Sequence, residues 1–542
     1  MRSLAALSAA AMAMGLLAAP EARAQIGIGW REDERVLVFD ASAATALARS
    51  PAYLFVATRG GLLAWDDAFG RFELPLTAED GYPASPVTAM TWDPRDGHVW
   101  LAAVQELVQV DPRSRRFVDR FPIRDPILEL VPAEPGTSEF LARTARGWRR
   151  IDTFSRAERP ATPAEAAAAI DRSPDLRARR ELLQDPSFGD MIPFLTRPPG
   201  RPAIRITDVM PAFQADQFWL ATDGAFLLRY DHGLRDWSPL VWGFVGEGAA
   251  AVLEGPEGLW FIPRGPAIGR MGVARADREL QHWEIWETGP VIGAPSGGVR
   301  AALTVASTVW VGGEGGLFRF RQGDGWQQVR DVLPGGSGDV LSLARDPSGA
   351  EEGAIWVGTA RGLFRLQGEG PLLGLSLLPS ARVLALTAGA DRLWIGTSAG
   401  LYTLAIETGN GAVEVRPVSG APVLSRPAGA LAESGDTIFV GLGDEVWSRT
   451  DSVGWHRVDA FGRMGGAVTS LAVRDGLVWA GSEAEAVAWD ASRGWTERVS
   501  FAAGDLPVDP TGRRGVWAIL PTGPREAWLA TPVGALRLQL RR

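Results

Sequence analysis

The chain has 542 residues, more than one ordinary domain holds, and its 64 Gly and 38 Pro favour many short strands over long helices. It has no Cys, which excludes thiol nucleophiles, disulfides and Cys-ligated metals, and its 55 basic residues are all Arg, so Schiff-base and P-loop chemistry have no lysine. Four His offer little for a metal site, and a net charge of −9 argues against a nucleic-acid partner.

The first element is an address. Arg2, the apolar stretch Leu4 to Ala19, the break at Pro20 and the triplet Ala22-Arg23-Ala24 predict a signal peptide over 1–24, cleaved before Gln25. A membrane anchor is the alternative, and the short apolar stretch speaks against it. No later stretch reaches spanning length, so the mature protein is expected to be exported, periplasmic or extracellular, without a membrane span.

From residue 53 onward one pattern keeps returning. IWVGTARGLFRL (355–366) recurs as LWIGTSAGLYTL (393–404), VWVGGEGGLFRF (309–320) and YLFVATRGGLLAW (53–65), with weaker copies between and beyond. Eleven units follow, anchored by Phe55, Trp100, Phe140, Trp219, Trp260, Trp310, Trp356, Trp394, Phe439, Trp479 and Trp528, at the spacing of propeller blades. Each copy reads as strand, tight turn, strand. An alternating run such as Val383-Leu384-Ala385-Leu386 precedes it, and a Trp-led strand such as Gly454-Trp455 follows several copies. In the second strand, Trp356 and Gly358 face one side, Val357 and Thr359 the other. Both faces are apolar or small, as a blade wedged between two neighbours requires. The small Gly leaves room for bulk from the adjacent sheet. The fold class predicted is all-β, a β-propeller of about eleven four-stranded blades.

One gap, between Phe140 and Trp219, is too long, and 161–186 breaks the β pattern there. Thr162, Pro163 and Glu165 form a capping box, and Ser173-Pro174 opens a second helix. Met191 to Leu195 then reads as the delayed outer strand of the third unit. Eleven blades exceed one ordinary ring, so two rings are expected. The last unit has three strands and Arg35 to Asp40 is a lone strand, so their pairing would close a ring. The expected division is 25–196 (three blades, the closing strand and the helical excursion), 204–418 (five blades) and 428–542 (three blades sharing a ring with the first three). A contiguous five-plus-six division is the alternative.

The phrase DGYPASPVTAMTWDPRDGHVWLAAVQELVQVDPRSRRF (80–117) resembles the two-component regulator propeller repeat, and Val332-Leu333-Pro334, Asp505-Leu506-Pro507 and Ile395-Gly396-Thr397 match other pieces of it. The resemblance implies an extracytoplasmic, sensor-type propeller. No kinase region follows the last blade in this sequence, so signalling would need a separate membrane sensor or envelope complex as partner.

Three readings of function compete: a non-catalytic propeller binding a polar ligand or protein, a structural subunit of an envelope complex, and a hydrolase or lyase with axial carboxylates. No cofactor, metal or catalytic residue is assigned. His98, His232, His282 and His456 fall in four different units, away from innermost strands. Glu129 and Asp208 fall on predicted inner strands of consecutive units and are the channel candidates. Arg172, Arg177, Arg179 and Arg180 on the helical excursion could dock an acidic partner. The turns after the Trp strand all emerge at one end, where loops are free to carry function. They offer Arg59, Gln105, Asp223, Arg264, Glu314, Arg361, Asp444 and Glu483 as rim candidates.

Overall fold

The computed structural model describes residues 35–196 and 203–540, apart from 256, 267–269, 288–294, 296–297, 330–337, 347–353, 367–372, 376–377, 379–380, 390, 406–413, 421–425 and 502–514. Residues 1–24, expected as a signal peptide, and the Leu-Pro matches at 332–334 and 505–507 lie outside these residues. Among the described residues the chain forms eleven four-stranded antiparallel sheets, the blades of a β-propeller fold. Blades 1 to 10 are built within 44–72, 89–122, 127–160, 206–240, 247–287, 299–328, 340–375, 383–417, 430–457 and 468–500. Blade 11 takes three strands from 518–539 and its outermost from Arg35–Val38, which runs antiparallel to Gly534–Gln539 with Arg35 opposite Leu538.

The repeated residues build each blade. All five residues of Ile355–Thr359 are buried, because neighbouring sheets cover both faces of the second strand. The threonine that ends such a strand closes the following turn. Thr359 Oγ1 donates to the Gly362 carbonyl at 3.0 Å and accepts from the Arg361 N–H, and Thr58, Thr397 and Thr531 repeat the bond to the carbonyl three residues on. The aspartate that ends a third strand works at the opposite turn. Asp66, Asp111, Asp152 and Asp490 each accept a backbone N–H from two residues ahead. The Ser138 and Ser155 hydroxyls hold the Asp152 carboxyl down at about 2.

A Cβ added at Gly312, Gly358, Gly441 or Gly481 would fall under 3.0 Å from Val340, Val383, Val468 or Val516, the valine opening the next blade. At Gly358 it would also collide with Ser342 Oγ. Gly358→Ala is therefore expected to destabilise by about 1–3 kcal/mol through overpacking. Thermal melting checks this, and an unchanged midpoint would show that the blade contact yields.

Inner strands touch in two circles. Val299–Val305, Val340–Arg345, Val383–Ala388, Ala430–Ser434, Val468–Arg474 and Ala518–Gly523 follow one another, and Glu247–Gly255 meets both the first and the last of these. Blades 5 to 11 thus form one ring of seven, with Arg35–Val38 on its last blade. In the other circle Ile206–Pro211 touches Ala44–Arg49, which touches Ala89–Asp93, which touches Ile127–Pro132. These contacts replace the expected grouping of units 1–3 with 9–11, and the alternative five-plus-six division as well.

The helical excursion completes the smaller circle. Helices α1 (Pro163–Arg172) and α2 (Pro174–Gln184) pack on each other, α1 against Ile127–Pro132 and α2 against Ile206–Pro211. They stand between blades 3 and 4 where a fifth blade would stand. Thr162 and Glu165 form the capping box of α1, and Ser173 Oγ accepts the Leu176 N–H to start α2. A third helix, α3 (Pro186–Thr196), occupies the segment expected as a strand. The outer strand of blade 3 is already supplied by Ala157–Pro160. Phe188, Ile192 and Leu195 recur at helical spacing and pack on Leu220, Leu228 and Tyr230 of blade 4.

Candidate ligand-binding cleft between the rings

Two crossovers join the rings, and Asp40 ties them together. It forms a parallel bridge with Phe244, its Oδ1 accepts the Ser42 N–H at 2.8 Å, and its Oδ2 accepts the Gly246 N–H at 3.0 Å. Burial raises its carboxyl above the usual range, and both N–H groups and the nearby Arg270 oppose that rise. Phe39 packs on Trp242 with ring centroids 5.3 Å apart. Gly243 has φ +80°, and a Cβ there would sit on the Phe39 carbonyl oxygen, so only glycine lets the crossovers approach this closely. One apolar cluster runs through the junction, from Trp219 of blade 4 through Phe39, Trp242 and Phe244 to Phe261 of blade 5 and Trp528 of blade 11.

Above this floor lies a cleft of about 1240 Å³ walled by both rings. Blade 1 contributes Arg59, and Arg205 and Asp223 come from blade 4 and the residue before it. Blades 5 and 6 contribute Glu247, Arg264, Arg270, Arg300 and Glu314, and Trp517 stands at the start of blade 11. The turns between second and third strands supply Arg59, Asp223 and Glu314. Arg205 Nε lies 2.7 Å from Asp223 Oδ2, and Arg300 Nη2 lies 3.2 Å from Glu314 Oε1. The Arg264 guanidinium sits 3.7 Å over the Trp517 ring. Arg270 is only 8% exposed and pairs with Glu287 at 2.7 Å.

Four of the eight rim candidates, Arg59, Asp223, Arg264 and Glu314, meet in this cleft. Gln105 borders a separate, smaller cleft with Glu106 and Arg120. Arg361, Asp444 and Glu483 stand on blades 7, 9 and 10 and do not line the junction cleft; Asp444 pairs with Arg463 at 3.1 Å. Sequence reasoning did not single out Asp40, Arg270 or Trp517, because none of them occupies the repeated turn.

Glu129 and Asp208 both line a cavity of about 460 Å³ in the smaller ring. Their carboxylates are already engaged there. Asp208, 8% exposed, lies 2.9 Å from Arg179 Nη1, and its oxygens accept the Leu47 and Val209 N–H groups. Burial raises its carboxyl, and Arg179 opposes that rise. Glu129 pairs with Arg143 at 3.0 Å. The helical arginines bind within the chain: Arg172 donates to the Ala133 carbonyl at 2.6 Å, Arg180 pairs with Asp171, and Arg177 lies 3.9 Å from Glu181. Arg49 of blade 1 pairs with Asp175 of α2, so the helix pair is clamped to the ring from both sides. His98, His232 and His282 each face an aspartate, Asp96, Asp185 and Asp277, and His456 meets the Ser448 hydroxyl at 3.0 Å.

No protein-family profile matches the sequence, and no curated protein matches it either. Among solved structures the chain is similar to the extracellular domain of a B. thetaiotaomicron protein, described as a one-component system, at 12% identity and TM-score 0.40, over 92% of this chain and 63% of that one. A second structure of that extracellular domain, described there as a hybrid two-component system, gives 11% identity and TM-score 0.42, over 93% and 73%. The WD40 β-propeller domain of Doa1 gives 11% identity and TM-score 0.39, over 55% of this chain and 94% of that one. The chain therefore spans somewhat less than two thirds of the first of these. No helix among the described residues is long and apolar enough to cross a membrane.

Proposed function

We propose that this chain is an exported, non-catalytic β-propeller that binds a ligand in the junction cleft, in a sensor-like or accessory role. The two rings, 44–240 with the helices and 247–539 with Arg35–Val38, are its two domains. The observation that carries this reading is the cleft itself: about 1240 Å³, walled by blades of both rings, with charged residues from four blades on its rim. The apolar junction beneath it makes a preformed wall. The sensor-like role is what the repeat resemblance implies.

Equilibrium dialysis of the mature protein against a small-molecule extract of its growth medium tests the reading. The wild type is expected to retain a compound that Ala203→Trp does not, since Ala203 is an exposed residue of the cleft wall and an indole there fills the space without disturbing a core. Retention by neither protein, or equally by both, would overturn the assignment.

A further inference from the structure

We infer that the cleft ligand is an organic anion, held through an oxyanion group by donors from both rings; this rests on the binding reading above. Five arginines and four carboxylates line the cleft in a protein of net charge −9. Three of these carboxylates are engaged. Asp40 accepts two backbone N–H groups, Asp223 accepts the Arg205 N–H and guanidinium, and Glu314 accepts from Arg300. Glu247 is exposed, and water meets its oxygens.

The unmet hydrogen-bonding groups of this wall are donors. Arg270 Nε is buried and has no acceptor, although the residue is only 8% exposed. Trp517 Nε1 is buried without an acceptor as well. Unpartnered indole N–H groups also occur on Trp92, Trp100, Trp219, Trp310, Trp326, Trp356 and Trp479, but none of those residues lines this cleft, whereas Trp517 does. Arg59 adds an exposed guanidinium from the smaller ring. A buried N–H without a partner is costly, and the one at Arg270 Nε belongs to a guanidinium whose Nη2 donates to Glu287. A ligand rich in acceptors relieves that cost, and an anion relieves most. Arg59 comes from one ring and Arg270, Arg264 and Trp517 from the other, so the oxyanion would be gripped across the junction. Carboxylate, phosphate and sulfate esters share the required chemistry.

Calorimetric titration at low ionic strength with citrate, inorganic phosphate and sulfate separates these sources. At least one probe is expected to bind saturably, to weaken on adding salt, and to displace the compound retained in dialysis. Arg59→Gln and Trp517→Phe are each expected to weaken it about tenfold with melting unchanged, because neither change opens a core. If none of the three probes displaces a retained compound while Ala203→Trp still abolishes its retention, the cleft binds a ligand of another class and the anion assignment falls. Equal affinity in wild type and both variants would overturn it too.

Discussion

Deletion of Arg35–Val38 is expected to lower the melting temperature by about 10 °C and to convert the protein into dimers or larger species. Val36 and Val38 are almost wholly buried in blade 11, and burying a valine contributes about 1.5–3 kcal/mol. A loss of about 3–6 kcal/mol at roughly 2–4 °C per kcal/mol gives the shift. The second consequence follows from hydrogen bonding. Without its outermost strand, Gly534–Gln539 becomes an edge with unpaired N–H and C=O groups, a template for pairing with another molecule. Size-exclusion chromatography and thermal melting read the two effects separately. A truncated chain that stays monomeric and melts with the wild type would show that blade 11 does not need this strand.

Arg179→Ala should cost about 3 kcal/mol, because it leaves the Asp208 carboxylate buried without its cation. The damage should be local at first: protease cleavage within 161–196 at temperatures where the blades are still intact. The double variant Arg179→Leu with Asp208→Asn should recover much of the loss, since it leaves no unpaired charge and the amide oxygen can still accept a buried N–H that Asp208 now holds. If Arg179→Ala melts like the wild type and resists protease equally, the ion pair does not clamp the helices.

The blades were legible because each repeated residue has a local job. Trp fills the space between sheets, Thr closes one turn and Asp the other, so the period shows directly in the letters. The helical excursion was legible through its caps, Thr162 with Glu165 and Ser173 with Pro174. Its third helix was missed because the fourth strand of blade 3, Ala157–Pro160, carries no aromatic marker. The ring division was missed although a signal existed. The position two after the anchoring aromatic is Ala57, Ala102, Ala142 and Ala221 in the smaller ring but Gly312, Gly358, Gly396, Gly441 and Gly481 in blades 6 to 10. More blades per turn mean a smaller angle between neighbours, and glycine admits the closer approach. The cleft was half legible. Its turn residues follow the repeat, whereas Asp40, Arg270 and Trp517 meet only through the crossover geometry.

The nesting of one ring inside the other sets an order of assembly. Residues 44–240 contain every blade of the smaller ring, so that ring can fold while the rest of the chain is still emerging. The larger ring cannot: its first strand, Arg35–Val38, finds its partner only when Gly534–Gln539 arrives, at the far end of the polypeptide. Loops of that length make closure slow. Until then an apolar strand and an unfinished arc of blades are exposed together, a species prone to self-association. Folding of this protein therefore ends with a late clasp, and factors that shield extended segments should raise its folding yield more than factors that speed local turn formation.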